Sequence, residues 1–206
     1  MLGVSLELQP YLDRLQIELR RVDPKEVCHL SDLLYQAWEG GNFIFIFGNG
    51  GSACSASHLC EDLGKGCIRD LRDEGKRRLR VISLTDNVGW LTALGNDCGY
   101  EQTFVQQMMN YGRPGDLAIG ISGSGNSPNV LAAIDWANRH GLKTFGMTGF
   151  DGGKLKLMQQ AGLHSPLDDM GMVESVHICM IHWLIDDLYG RINGCGRYAP
   201  DGPVAR

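Results

Sequence analysis

Four apolar, β-rich runs, Phe43–Phe47, Leu79–Leu84, Leu117–Ile121 and Lys143–Met147, are each followed by a polar or glycine-rich turn and then by a stretch with helical spacing. Alternation of this kind reads as a mostly parallel sheet buried on both faces by helices, so it predicts an α/β fold. Sheets of this kind take their ligands outside the carboxyl ends of the strands. The turns to search are therefore Gly48–Ser52, Thr85–Asn87, Ser122–Ser127 and Thr148–Gly153. The chain holds 28 glycines in 206 residues, near twice the usual share of about 7%, and they punctuate the alternation instead of forming a low-complexity tract.

At about 150 residues per domain the length predicts one domain with an appendage. Residues 1–40 read as a helical oligomerisation segment, 41–191 as the α/β domain and 192–206 as an irregular tail. In the helical preface, Leu8, Leu12, Leu15, Leu19 and Val22 form one stripe, and Val27, Leu30, Leu34, Ala37 and Trp38 a second. Asp23, Pro24 and Glu26 have the form of an N-cap, an N1 proline and an N3 acid, which starts the second helix there. These apolar stripes cover either their own domain or another subunit. A last helix is expected from about Met172 to Tyr189.

Composition excludes several classes of function. Lys and Arg number 19 against 24 Asp and Glu, and the basic group Lys76, Arg77, Arg78 and Arg80 lies beside Asp73 and Glu74, so nothing predicts a nucleic-acid partner. No apolar run reaches the roughly 18 residues of a membrane span, and Leu6 to Gln9 lack the basic head of a signal peptide. The expected location is the cytoplasm. Seven cysteines (Cys28, Cys54, Cys60, Cys67, Cys98, Cys179 and Cys195) show no CxxC pair and are expected as buried thiols of a reducing compartment.

Three constellations carry candidate chemistry. The turn Gly48-Asn49-Gly50-Gly51-Ser52-Ala53 has the G-x-G-x-x-A spacing of a dinucleotide loop, but the nearest acid after the next strand, Asp86, comes 38 residues after Gly48 instead of about 20. The turn Ser122-Gly123-Ser124-Gly125-Asn126-Ser127 leads through Pro128 into a helix. Hydroxyls and free backbone N–H groups there suit a single phosphate, and a serine that merely caps the helix is the plainer alternative. On helices, His58 and Asp62 share one face with Glu61 beside them. Glu174 and His182 lie about 80° apart around the last helix. Two imidazoles and two carboxylates can bind zinc, whereas a core histidine and a solvated acid are the alternatives.

The segments GNGGSACSASHLCEDL, LTDNVGWLTALGNDCGYE, ISGSGNSPNVLAAI, TGFDGG and VESVHICMIHWL resemble, in unbroken order from about Leu33 to Tyr189, the motifs of the sugar isomerase (SIS) domain family. They look most like its phosphoheptose isomerase branch. That resemblance implies a flavodoxin-like, doubly wound, five-stranded parallel sheet between helices, a homotetramer, and isomerisation of sedoheptulose 7-phosphate to D-glycero-D-manno-heptose 7-phosphate for lipopolysaccharide. It further implies that Ser122, Gly123, Ser124 and Ser127 hold the phosphate with Ser52 close by. Asn49, Gly50, Gly51, Asn96, Asp97 and Glu174 would contact substrate, and His58, Asp62, Glu174 and His182 would bind one zinc ion. Asp62 would be the base and His182 the acid. The chain departs from the family where Asp62 replaces a glutamate, Glu174 a glutamine and Gly123 a threonine. The segment around Asp86 also resembles the branch that binds the replication initiator DnaA without catalysis, an alternative that the presence of His182 opposes.

Overall fold

The computed structural model describes residues 7–198. Two helices, α1 (Leu8–Arg21) and α2 (Pro24–Gly40), precede β1 (Phe43–Gly48) and α3 (Gly51–Lys65). Then follow β2 (Arg80–Ser83), α4 (Val88–Asp97), a 3-10 turn (Tyr100–Gln102), α5 (Val105–Tyr111), β3 (Leu117–Ser122) and α6 (Pro128–Arg139). The chain continues through β4 (Lys143–Thr148), α7 (Gly153–Met158), β5 (Ala161–His164) and α8 (Met170–Asn193).

The strands form one sheet in the order β2-β1-β3-β4-β5, parallel throughout, which is the doubly wound, flavodoxin-like arrangement expected. Strand alternation sorts the core into two layers. Ile44, Ile46, Leu117, Ile119 and Ile121 face α2, α3 and α8 through Leu30, Leu34, Leu59, Leu63, Ile181 and Leu184. Phe45, Phe47 and Ala118 face α5 and α6 through Met108, Val130, Ala133 and Ile134.

Only four of the five strands have a strong apolar signature. β5 reads Ala-Gly-Leu-His, and its small residues have a packing cause: a Cβ on either Gly146 of β4 or Gly162 of β5 would collide with the Gln159 carboxamide. The last helix extends beyond the Met172–Tyr189 expectation by one half-turn at its start and one turn at its end. Of the expected tail, Pro200, Gly202 and Pro203 lie outside the described residues.

Asp23 caps α2 by accepting from Lys25 N at 2.9 Å, with Pro24 opening the helix. Glu26 does not close a capping box; it accepts from His164 N at 3.0 Å and so ties α2 to the edge strand. α2 thus packs on its own sheet. α1 does so by halves: Tyr11, Leu15, Leu19 and Val22 rest on Leu167, Met172, Val173 and Val176, while Leu8, Leu12 and Ile17 are 72%, 45% and 53% exposed. The basic group closes α2. Arg77 donates to Glu39 O at 2.6 Å, Arg80 donates to Gly41 O at 2.9 Å, and their guanidiniums lie over Trp38 and Phe43. All seven cysteines are free, but the expectation of buried thiols holds only in part: Cys67 and Cys195 are buried, whereas Cys28 of α2, Cys54 of α3 and Cys98 just after α4 are exposed. Burial pushes the Cys67 thiol up to about 12.

Candidate active site

β1 and β3 are neighbours whose following helices pack on opposite faces, and the crevice between their carboxyl ends is the switch point of the sheet. Both loops singled out by composition end there. In the β3 loop, Gly125 N donates to Ser122 O at 2.9 Å and Gly149 N to Gly123 O at 2.8 Å, which anchors the loop to the end of β4. Gly125 has φ 65°, and a Cβ there would strike the Gly152 carbonyl, so glycine is required. Ser127 stands at the N-cap of α6 yet makes no side-chain capping bond; its Oγ lies 3.1 Å from Ser122 Oγ. The plain capping role is therefore not what Ser127 performs. Ser122 is buried and Ser124 is exposed. A Cβ at Gly123 would meet the thioether of Met170 at the start of α8, so that side chain fills the space beside the loop.

The β1 loop turns into α3 at Gly50 and Gly51, with Ser52 buried in the first turn. Gly51 is a close approach: a Cβ would overlap the Glu174 carboxylate, which rests against this end of α3. Asn49 exchanges hydrogen bonds with Asn129 of α6. Asn49 Nδ2 donates to Asn129 Oδ1 at 2.8 Å, Asn129 Nδ2 returns one to Asn49 Oδ1 at 3.0 Å, and the Tyr100 hydroxyl donates to Asn49 Oδ1 at 2.9 Å. Asn129 and Thr103, which accepts from Asn129 Nδ2 at 3.2 Å, are fully buried. None of Asn129, Tyr100 and Thr103 was singled out from sequence. The available signal was a polar residue on the apolar face of α6, four and eight positions before Ala133 and Ala137.

α3 and α8 lie side by side and run in the same sense, with Gly51 against Glu174, His58 against His182 and Gly66 against Ile185. His58 Nε2 is 3.3 Å from His182 Nε2 and 3.2 Å from Asp62 Oδ2, and the three side chains offer ligand atoms within 4.8 Å of one another. Ligand atoms about 2.0–2.1 Å from a tetrahedral zinc would lie roughly 3.3 Å apart, so two imidazoles and a carboxylate at these spacings fit the ion with a fourth position open. Glu174, the fourth residue expected, is not among the three whose ligand atoms lie within 4.8 Å of one another. It instead lines the cleft that runs past Gly51, Cys54, Ser55 and His58, a volume of about 330 Å³. Glu61 pairs with Lys65 at 2.9 Å on the exposed side of α3 and takes no part.

Asp86 at the end of β2 accepts from Ser57 of α3 and from Thr85 Oγ1 at 3.1 Å. Asn96 and Asp97 are exposed at the end of α4, where Asn96 Nδ2 donates to Asp97 Oδ1 at 2.7 Å. Asp169 caps α8 by accepting from Met172 N at 3.3 Å and pairs with Arg14 at 2.9 Å.

A doubly wound sheet with a serine-rich loop at its switch point and a His-Asp-His cluster on α3 and α8 agrees with the comparisons, which show that the chain belongs to the SIS domain family. The family's SIS domain model matches residues 10–149. The narrower class follows from individual relatives. The phosphoheptose isomerase of Trichlorobacter lovleyi is 37% identical over 199 residues, covering 94% of this chain and 98% of that one. The Helicobacter pylori P12 phosphoheptose isomerase is 41% identical over 155 residues, covering 75% and 78%. Among solved structures, phosphoheptose isomerase GmhA from Neisseria gonorrhoeae superposes with a TM-score of 0.78 at 29% identity, covering 88% of this chain and 98% of that one. The chain is thus a member of the phosphoheptose isomerase branch, and these relatives favour that branch over the initiator-binding adaptor. Among the described residues no helix is long and apolar enough to cross a membrane.

Proposed function

We propose that this chain is a metal-assisted aldose–ketose isomerase that converts sedoheptulose 7-phosphate to D-glycero-D-manno-heptose 7-phosphate. The observation that carries the reading is the grouping of His58, Asp62 and His182 on α3 and α8, because α3 begins at the same switch point of the sheet as the serine loop after β3. Ser122, Ser124 and Ser127, with backbone N–H groups at the start of α6, hold the phosphate, and Ser52 stands at the neighbouring helix start. Asn49, Gly50 and Gly51 face the sugar, and Glu174 borders it.

In the ketose-to-aldose direction a proton leaves C1 and one is delivered to C2, while O1 loses its proton and O2 gains one, through an enediol. Asp62 is the base at carbon, and His182 moves the proton between the oxygens. His58, Asp62 and His182 would hold zinc, which when bound supplies Lewis-acid stabilisation of charge on the reacting oxygens. Asp62 is one methylene shorter than the family's glutamate, and a displacement of about 1 Å costs on the order of 100-fold in rate, so Asp62→Glu is expected to change kcat more than metal binding. The working form is a cytoplasmic homotetramer serving lipopolysaccharide heptose synthesis, and the uncovered Leu8, Leu12 and Ile17 of α1 supply apolar surface for assembly. Incubation with sedoheptulose 7-phosphate and zinc should give the aldoheptose phosphate by NMR, and His182→Ala should stop it. Absence of turnover on heptose, hexose and pentose phosphates alike would overturn the reading.

A further inference from the structure

We propose that Tyr100 and Asn129 are positioning residues that orient the Asn49 carboxamide so that it offers one N–H donor, and no acceptor, to a hydroxyl or carbonyl oxygen of the bound sugar. This rests on the sugar-phosphate reading above. The polarity of the network is set by backbone groups at its two ends. Val130 N, which can only donate, gives its hydrogen bond to Asn129 Oδ1 at 3.0 Å. At the other end Thr103 Oγ1 donates to the Tyr100 carbonyl at 2.8 Å, so the same hydroxyl accepts from Asn129 Nδ2 at 3.2 Å. Asn129 can therefore sit in only one of its two amide orientations.

That orientation is passed to Asn49. Its Nδ2 must face Asn129 Oδ1 and its Oδ1 must face Asn129 Nδ2, at 2.8 and 3.0 Å. The Tyr100 hydroxyl, at 2.9 Å, fills the second lone pair of Asn49 Oδ1. An amide oxygen has two acceptor sites and an amide nitrogen two hydrogens. Both acceptor sites and one hydrogen are used, which leaves one N–H on a half-buried side chain at the switch point. The network also joins three loops. Asn49 follows β1, Asn129 lies in the first turn of the helix after the phosphate loop, and Tyr100 opens the 3-10 turn that Thr103 ends, which Gln107 Nε2 ties to the end of β2 by donating to Thr103 O at 2.8 Å and Leu84 O at 2.9 Å. The sugar donor and the phosphate loop are thereby held at a fixed separation.

The test is a double-mutant cycle of Tyr100→Phe and Asn49→Ala. Tyr100 is 60% exposed, so Phe removes the hydroxyl without disturbing the core. Isothermal titration with sedoheptulose 7-phosphate and with inorganic phosphate separates the sugar from the anion, and kcat/KM is measured alongside. Tyr100→Phe should weaken heptose phosphate binding and kcat/KM about fivefold to tenfold in the parent, less than twofold in the Asn49→Ala background, and leave inorganic phosphate unchanged. Equal losses in both backgrounds, no loss in the parent, or an equal loss with inorganic phosphate would each overturn the inference alone. A parent chain that neither binds nor turns over the heptose phosphate overturns the functional reading first, and this one with it.

Discussion

His177 gives the prediction with the clearest sign. It lies on the buried side of α8 with 1% of its surface exposed, and its Nε2 is 3.3 Å from the Thr148 carbonyl. Burial pushes its pKa down to about 4 from 6.5; the neighbouring His164 acts in the same direction, and the Thr148 carbonyl opposes both. The unfolded chain therefore takes up a proton that the folded chain refuses. The associated stability is whole above about pH 6.5 and is lost as pH falls towards 4. Each step of one in pH across that window removes about 1.4 kcal/mol, so about 2 kcal/mol goes between pH 7 and pH 5 and about 3 kcal/mol by pH 4. His177→Gln keeps an N–H for Thr148 without the titration. Urea unfolding at pH 7, 6 and 5, at one protein concentration with chelator present, should show a variant that is less stable than the parent at pH 7. The variant should lose about 2 kcal/mol less than the parent on going to pH 5. Parallel losses in parent and variant would refute the argument. The contact bears on the proposed function because Thr148 pairs with Ser122 across β3 and β4, at the root of the serine loop proposed to hold the phosphate.

Four further outcomes follow from the site. His58→Ala and His182→Ala should each abolish stoichiometric zinc by equilibrium dialysis, whereas Glu174→Gln, outside the cluster, should retain it; full retention by His182→Ala would remove the metal assignment. Ser127→Ala should raise KM for the sugar phosphate about tenfold yet lower stability by less than the roughly 1 kcal/mol of a lost N-cap, because Ser127 makes no capping bond; a full capping loss on denaturation would contradict this. Gly125→Ala, facing the Gly152 carbonyl at φ 65°, should fail to give a phosphate-dependent thermal shift, while Gly123→Ala, facing only the movable end of Met170, should keep a reduced one. Glu61→Gln breaks only the exposed pair with Lys65 and should leave kcat/KM within about twofold and stability within about 0.5 kcal/mol.

What was legible in the sequence was what has a period. Strands β1 to β4, the sheet class and the α2 start rest on alternation and capping chemistry, which are local. β5 escaped because its composition answers to the Gln159 side chain packed on its face, not to strand propensity. The two strand-end loops were legible because their glycines and serines are contiguous and follow apolar strands, whereas the Asn49–Asn129–Tyr100 network joins residues 51 and 80 positions apart and leaves no short spacing to find.

The metal set shows the same limit from the other side. Glu174 and His182 lie about 80° apart around α8, and angle alone lets them converge. Eight residues of helix, however, also advance about 12 Å along the axis. With α3 running beside α8 in the same sense, the similar advance of seven residues from Gly51 to His58 carries one partner along with the other, so Glu174 meets the start of α3 and His182 meets the His58–Asp62 turn. Angular position on one helix sets only the direction of two side chains, and the neighbouring helix decides which of its residues each one meets. In the proposed assignment His58, Asp62 and His182 would hold the ion, and Glu174 lines the same cleft at the Gly51 end, about two helical turns of α3 before His58.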